Sequence, residues 1–283
     1  MINSSRPCVS CERVFTGKFC PHCGEKRIDA HDLTLRHFTE HAVEAFTHAD
    51  GKIVRSIRSL LLRPGEMTAG YIAGRRRPYI GPLQLFLICN VMYFLLQPLL
   101  RWDSLSSTLY TNMELAFFKG WAKPMAQAKI AASGLALENY GKIFDRAAIL
   151  HGKSLVILLV PLFTLPLLPL FARRGRPLVL HLVFALHFTS FFLLGLLAVH
   201  GLLNLVQAIC RAAGHPLSSG QLDLASAVPL FLAFGVYFHL AVRRAYGETG
   251  PRLAVKATLL VALVLPLLTA YRLILFLITL RVT

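Results

Sequence analysis

Four stretches of the chain run for about the thickness of a bilayer without an Asp, Glu, Lys or Arg: Gly81 to Leu100, Ser154 to Ala172, Pro177 to Cys210 and Leu224 to Val242. A hydrocarbon core of about 30 Å is crossed by roughly 20 apolar helical residues, so each predicts a membrane span. A fifth apolar stretch, from about Leu253 to Leu280, is interrupted by Lys256 and Arg272. Lys256 can snorkel to the surface, whereas Arg272 is expected to mark the true helix end or to face the bundle interior. The predicted spans are about 81–100, 154–172, 178–206, 224–242 and 253–280.

Before the first span the period changes. Leu35, Phe38, Ala42, Ala45, Phe46 and Ala49 share one face at helical spacing, with His37, His41, Glu44 and His48 opposite, which predicts an amphipathic helix over Leu33 to Ala49. Asp50-Gly51 breaks the pattern, and Ile53, Ile57, Leu60 and Leu61 restart it until Arg63-Pro64-Gly65 stops the second helix. Glu66 to Ala73 reads as one more helical piece. These apolar faces could pack together, lie on the inner leaflet or dock on the bundle. Residues 101–153 form the longest connection and could cap the bundle. Pro161, Pro166 and Pro169 predict a kinked second span, because each removes a backbone donor and crowds the preceding turn. No internal repeat is visible between the spans, which speaks against an inverted-repeat transporter.

Composition agrees: 55% of the 283 residues are hydrophobic and 16% charged, with mean hydropathy +0.57, far from a soluble domain. Residues 1–30 are polar and Cys-rich, unlike a cleavable signal, so the first span is expected to direct insertion. A formal charge of +16 would suggest nucleic acid in a soluble protein, but its placement argues otherwise. Thirteen Lys and Arg precede the first span, ending in Arg75-Arg76-Arg77; further basic residues fill the turns at 173–176 and 243–252, while the alternate connections are poorer for their length. The positive-inside rule then predicts a cytoplasmic N-terminus and an extracytoplasmic C-terminus, with 101–153 outside.

Cys8-Val-Ser-Cys11 and Cys20-Pro-His-Cys23 give two metal knuckles. Four thiolates close a tetrahedral shell with no open position, the pattern of one structural Zn2+ site. About thirty residues cannot bury a core that offsets their chain entropy, so metal would supply most of the folding free energy of residues 1–27. A reducing cytosol keeps such thiols free, in agreement with the predicted topology. Zinc ribbons do bind nucleic acids, but Phe15 and Phe19 alone make no aromatic surface for that role.

His37-Phe-Thr-Glu-His41 matches the His-x-x-Glu-His pattern of a zinc-peptidase class. A solvated polar stripe on a juxtamembrane helix would look the same, and no third ligand or cleft is evident. His37, His41, Glu44 and His48 therefore stand as a weak second metal site at most. In the membrane, Asn90, His187, His239 and Arg272 are candidates for a polar site. His181, His187 and His200 are 6 and 13 residues apart, hence on separate helix faces, which favours interhelical hydrogen bonds over one shared metal. Arg75, Arg76 and Arg77 read as topological anchors and contacts for anionic lipid. No phosphate loop, nucleophile elbow or paired-carboxylate arrangement appears, so no catalytic residue is named.

Cys20-Pro-His-Cys23-Gly24, Asp50-Gly51-Lys52, Arg63-Pro64-Gly65, Gly74-Arg75-Arg76-Arg77-Pro78-Tyr79 with Pro82, and His181 to Phe191 together resemble the bacterial domain-of-unknown-function family 3667. The resemblance covers most of the chain to about residue 195 and implies a multi-pass protein of the bacterial cytoplasmic membrane, without an activity. The expected fold is an all-α membrane protein: a five-span helical bundle (81–283) with a small N-terminal zinc ribbon (1–27) and an amphipathic helical neck (28–80). The expected role is a non-enzymatic scaffold or sensor whose ribbon and neck contact a cytosolic or membrane protein. The alternatives are a transporter or lipid-handling protein and, behind it, a membrane metalloenzyme.

Overall fold

The computed structural model describes residues 5–27, 50–100, 105–172, 176–215 and 217–283. The segment Leu33 to Ala49, with His37, His41, Glu44 and His48, lies outside the described residues. The fold is mostly helical: among the described residues five helices are long and apolar enough to cross a membrane, and a small Cys-bearing hairpin precedes them.

The hairpin pairs β1 (Arg6–Pro7) with β2 (Val14–Phe15), antiparallel, Arg6 opposite Phe15 and Pro7 opposite Val14. The neck supplies α1 (Asp50–Leu62) and α2 (Glu66–Ile72). The first long helix is α3 (Pro82–Leu100). A π-helical turn (Thr111–Leu115), α4 (Lys119–Ser133) and α5 (Leu137–Leu155) follow. Then come α6 (Leu159–Leu170), α7 (Leu178–Ala212), α8 (Ser219–Tyr246) and α9 (Gly250–Val282).

α7 is the hub. Of its most apolar window 67% is buried, against 22–33% in the other four long helices. Lipid tails are as apolar as leucine, so helices in a bilayer associate through close packing rather than through exclusion from water. The contact is largely aromatic: Phe188 of α7 meets Phe163 of α6 edge-on at 4.7 Å and stacks on Phe238 of α8 at 4.4 Å, while Phe191 stacks on Tyr237 at 4.2 Å. Such offset and T-shaped pairs add about 0.5–1.5 kcal/mol each beyond the area they bury.

α5 and α6 form one continuous 34-residue rod, tightened into a 3-10 turn at Val156–Leu158. Pro161, four residues beyond Ile157, has no N–H to offer that carbonyl, which accounts for the local change of pitch. Pro166 and Pro169 lie inside α6. The segment 105–155 does cap one end of the bundle. Ala122 and Ala126 of α4 and Tyr140, Phe144 and Ala148 of α5 form a second core with Phe276 and Leu280 at the end of α9. α9 thus runs ten residues past Arg272, which is exposed. The expectation that this arginine ends the helix or faces the interior is not met, because the cap shelters the apolar turns beyond it.

Candidate metal centre and the docked neck

The two knuckles are built alike. In the first, the Cys8 N–H donates to Arg13 O at 2.9 Å and the Glu12 N–H to Cys8 O at 2.9 Å; in the second, Cys20 N–H donates to Glu25 O at 2.9 Å and Gly24 N–H to Cys20 O at 2.7 Å. Each loop turns through a left-handed residue directly after its second cysteine, Glu12 at φ 62° and Gly24 at φ 68°. Only glycine takes that conformation without steric cost, so Glu12 is strained where its counterpart is not.

This folding brings Cys8, Cys11, Cys20 and Cys23 together with all four sulfurs within 4.8 Å of one another. The cross-pairs Cys8–Cys23 and Cys11–Cys20 are 3.5 and 3.6 Å apart. A tetrahedral shell with metal–sulfur bonds of about 2.3 Å has sulfur–sulfur edges of about 3.8 Å, so the cluster has the dimensions to hold one metal ion. Hydrogen bonding from the Cys23 backbone, chiefly, draws the Cys20 thiol down to about 6, whereas, against a hydrogen bond from the Glu25 backbone, burial and the neighbouring thiols push Cys23 up to about 12, so four thiolates at this spacing need a cation to hold them together.

The hairpin does not hang free. Glu25, 4% exposed, accepts from the Ser10 hydroxyl at 2.6 Å and from the Arg77 backbone N–H at 3.1 Å. Gly24 lies flat on the Arg77 guanidinium, which a Cβ at position 24 would strike. The cysteine cluster is thereby joined to the Arg75-Arg76-Arg77 turn. Arg76 in turn lies over the Tyr71 ring at 4.4 Å.

The neck is wedged into the bundle. After Arg63-Pro64 stops α1, Gly65 takes φ +81° and touches the α8 backbone: a Cβ there would sit 2.6 Å from Ala241 Cα. Arg244 Nη1 donates to Pro64 O at 3.1 Å, and the Thr68 hydroxyl and His187 Nδ1 share a hydrogen bond of 2.8 Å between α2 and α7. Tyr79 closes the turn by donating to Glu66 at 3.0 Å. Leu60, Met67, Ile80, Leu85 and Cys89 then form a small core between neck and α3. Within 50–80 the apolar neck faces both pack on each other and dock on the bundle.

The four intramembrane candidates differ in burial. His187 is buried, with Nε2 unpartnered beside a space of about 30 Å3 that also touches Tyr71 and Tyr79, room for one water. Asn90 is half-buried, whereas His239 and Arg272 lie on the outer surface of the bundle. His181 pairs with Tyr246 Oη at 2.9 Å.

Sequence reading missed Glu248. It is 3% exposed, bonded to Lys256 Nζ at 2.9 Å and 4.0 Å from Arg176 Nη1. Arg176 also donates to Tyr246 O at 2.6 Å, and Lys256 lies 4.7 Å over the Phe171 ring. One carboxylate thus ties together the turns before α7 and before α9. Its only signal in the sequence was a lone acid amid Arg243, Arg244 and Arg252. A groove of about 570 Å3 between the π-helical turn and α5, lined by Leu109, Met113, Leu137 and Glu138, also went unread.

No curated protein and no solved structure matches the chain. The family model described as protein of unknown function, DUF3667, matches residues 50–94, the stretch that holds Gly65, Thr68, the arginine turn and most of α3. The matched residues 50–94 form the wedge that joins the cysteine cluster to the bundle.

Proposed function

We propose that this protein is a non-enzymatic scaffold or sensor of the bacterial cytoplasmic membrane, in which a zinc-held ribbon and the neck present a surface to a protein partner. The observation that carries the reading is the unbroken line of contact from the cysteine cluster through Glu25 and Arg77 to the neck, and from Thr68 to His187 inside the bundle. Such a line lets a change at one end bias packing at the other. A closed four-thiolate shell leaves no position for substrate, which fits structure rather than catalysis.

In this reading the metal is Zn2+, bound by Cys8, Cys11, Cys20 and Cys23. The ribbon lies in the cytosol and the cap of 105–155 outside. Arg75, Arg76 and Arg77 anchor the orientation and meet anionic headgroups. A reporter active only in the cytoplasm, fused to the C-terminus, is expected to stay silent; activity there overturns the orientation. Elemental analysis of purified protein is expected to give one zinc per chain, lost in Cys20→Ser/Cys23→Ser. Iron in its place overturns the metal assignment. The role itself is tested by crosslinking in native membranes followed by affinity capture. The reading expects specific partners that disappear with the double serine variant; an unchanged partner set after metal loss removes its support.

A further inference from the structure

Residues 105–133 lie between the candidate spans 82–100 and 137–170, yet they turn large apolar side chains outward. Phe117 is 97% exposed and Trp121 74%, with Tyr110, Leu115 and Met125 also exposed. In bulk water so dense a patch is a liability, and it marks a surface that something covers. Its level along the bundle says what. Followed outward from the bundle core, Lys153 on α5 and Arg272 on α9 are the first cations met after the apolar runs, and beside them the Tyr271 hydroxyl donates to Gly152 O at 3.1 Å. Two cations at one height mark the edge of the hydrocarbon. Phe118, at the start of α4, packs on Phe276 with ring centroids 6.1 Å apart, and Phe276 lies four residues, about 6 Å of helix rise, past Arg272. A headgroup layer is about 5–8 Å deep on each side of a bilayer, so α4 sits within it.

The residues of α4 are divided as such a place requires. Successive positions turn by about 100°: Ala122 and Ala126 join the second core, Trp121 and Met125 flank them on one side, and Lys119 and Lys123 fall on the other, about 160° from the tryptophan. The helix holds three lysines and no acidic residue. We propose that α4 is an interfacial anchor, in which Trp121, Met125 and the preceding Phe117 enter the lipid leaflet while the lysine flank meets headgroup phosphates and water. Tryptophan suits that depth because its ring is apolar and its N–H polar. Basic amphipathic helices lie in the interface plane with the apolar face sunk about 5–10 Å. Through Ala122 and Phe276 the leaflet then grips the end of α9. The proposal uses neither the metal nor the orientation proposed above, only the bundle's place in a bilayer.

The chain's two tryptophans, Trp102 and Trp121, supply the probe. Full-length protein is reconstituted into vesicles of phosphatidylglycerol and phosphatidylcholine, the latter brominated near the glycerol end or near the methyl end of its chains, and separately into unbrominated vesicles with acrylamide on both sides. Trp121 is read alone in Trp102→Phe, and again as the difference between wild type and Trp121→Phe, so that failure of one variant to fold leaves the other measurement. Trp102→Phe/Trp121→Phe/Lys119→Trp reports the opposite flank. Bromine near the glycerol end is expected to quench Trp121 about threefold more than bromine near the methyl end, and about threefold more than it quenches the Lys119→Trp variant, which acrylamide reaches instead. Quenching of Trp121 by acrylamide and not by bromine places it in water, and insensitivity to both places it under a protein, a second copy included. Either result overturns the proposal, as does equal quenching of the two flanks or stronger quenching from the methyl end.

Discussion

Two left-handed residues show how far one backbone angle constrains this molecule. Gly65 combines φ +81° with contact against the Ala241 backbone, so a methyl group there meets both dihedral strain and main chain that cannot yield. Gly65→Ala is expected to cost about 2–4 kcal/mol, measured as a lower melting temperature in detergent; wild-type stability would show that the neck is not wedged at Ala241. Glu12 offers the opposite test, since it holds φ 62° without being glycine. Glu12→Gly exchanges strain for a smaller entropic cost, a net gain of about 0.5–1 kcal/mol. Competition with a chelator should read this as metal binding about two- to fivefold tighter. Weaker binding would mean that the Glu12 side chain has a role its strain conceals.

Among the elements, α2 is the shortest helix to bind the bundle and depends on few bonds. Thr68→Val keeps its shape but removes the partner of His187 Nδ1, and is expected to cost about 1 kcal/mol and to hasten proteolysis within 50–81; unchanged cleavage rates would reject the bond as a fastener. At the turns before α7 and α9, Glu248→Gln leaves Lys256 and Arg176 facing each other without their carboxylate. A loss of about 2 kcal/mol is expected, below the range for fully buried pairs because both cations retain some exposure. Thermal unfolding checks it. The long elements were legible in sequence because twenty uncharged apolar residues admit few alternatives in a bilayer, and the cysteine spacing because a metal imposes its own geometry. Thr68 and Glu248 were not. A seven-residue helix carries too little periodicity to show which face it buries, and one carboxylate among arginines looks the same whether solvated or enclosed. Likewise the 34-residue rod α5–α6 was read as an outer connection plus a span, since charged residues such as Lys142 and Arg146 hide a helix that continues beyond the apolar stretch.

At the scale of the molecule, the cysteine hairpin and the bundle are expected to draw stability from different sources. Chelation is expected to unfold residues 5–27, seen as lost hydrogen-exchange protection there, while protection in α7 stays as it was; simultaneous loss in both would make metal the keystone of the whole fold. The neck belongs with the bundle, and its bonds span long stretches of sequence: Thr68 to His187, and Gly65 against Ala241. A ribosome adding roughly 5–20 residues per second needs about 9–35 seconds to pass from Gly65 to Ala241. For that interval Pro64 and Gly65 lack the α8 backbone and the Arg244 side chain they dock against, although the neck was synthesised first. Nascent chains should thus carry a half-docked basic segment until the fourth span arrives, so biogenesis, more than the finished fold, is where residues 50–94 are most exposed to error.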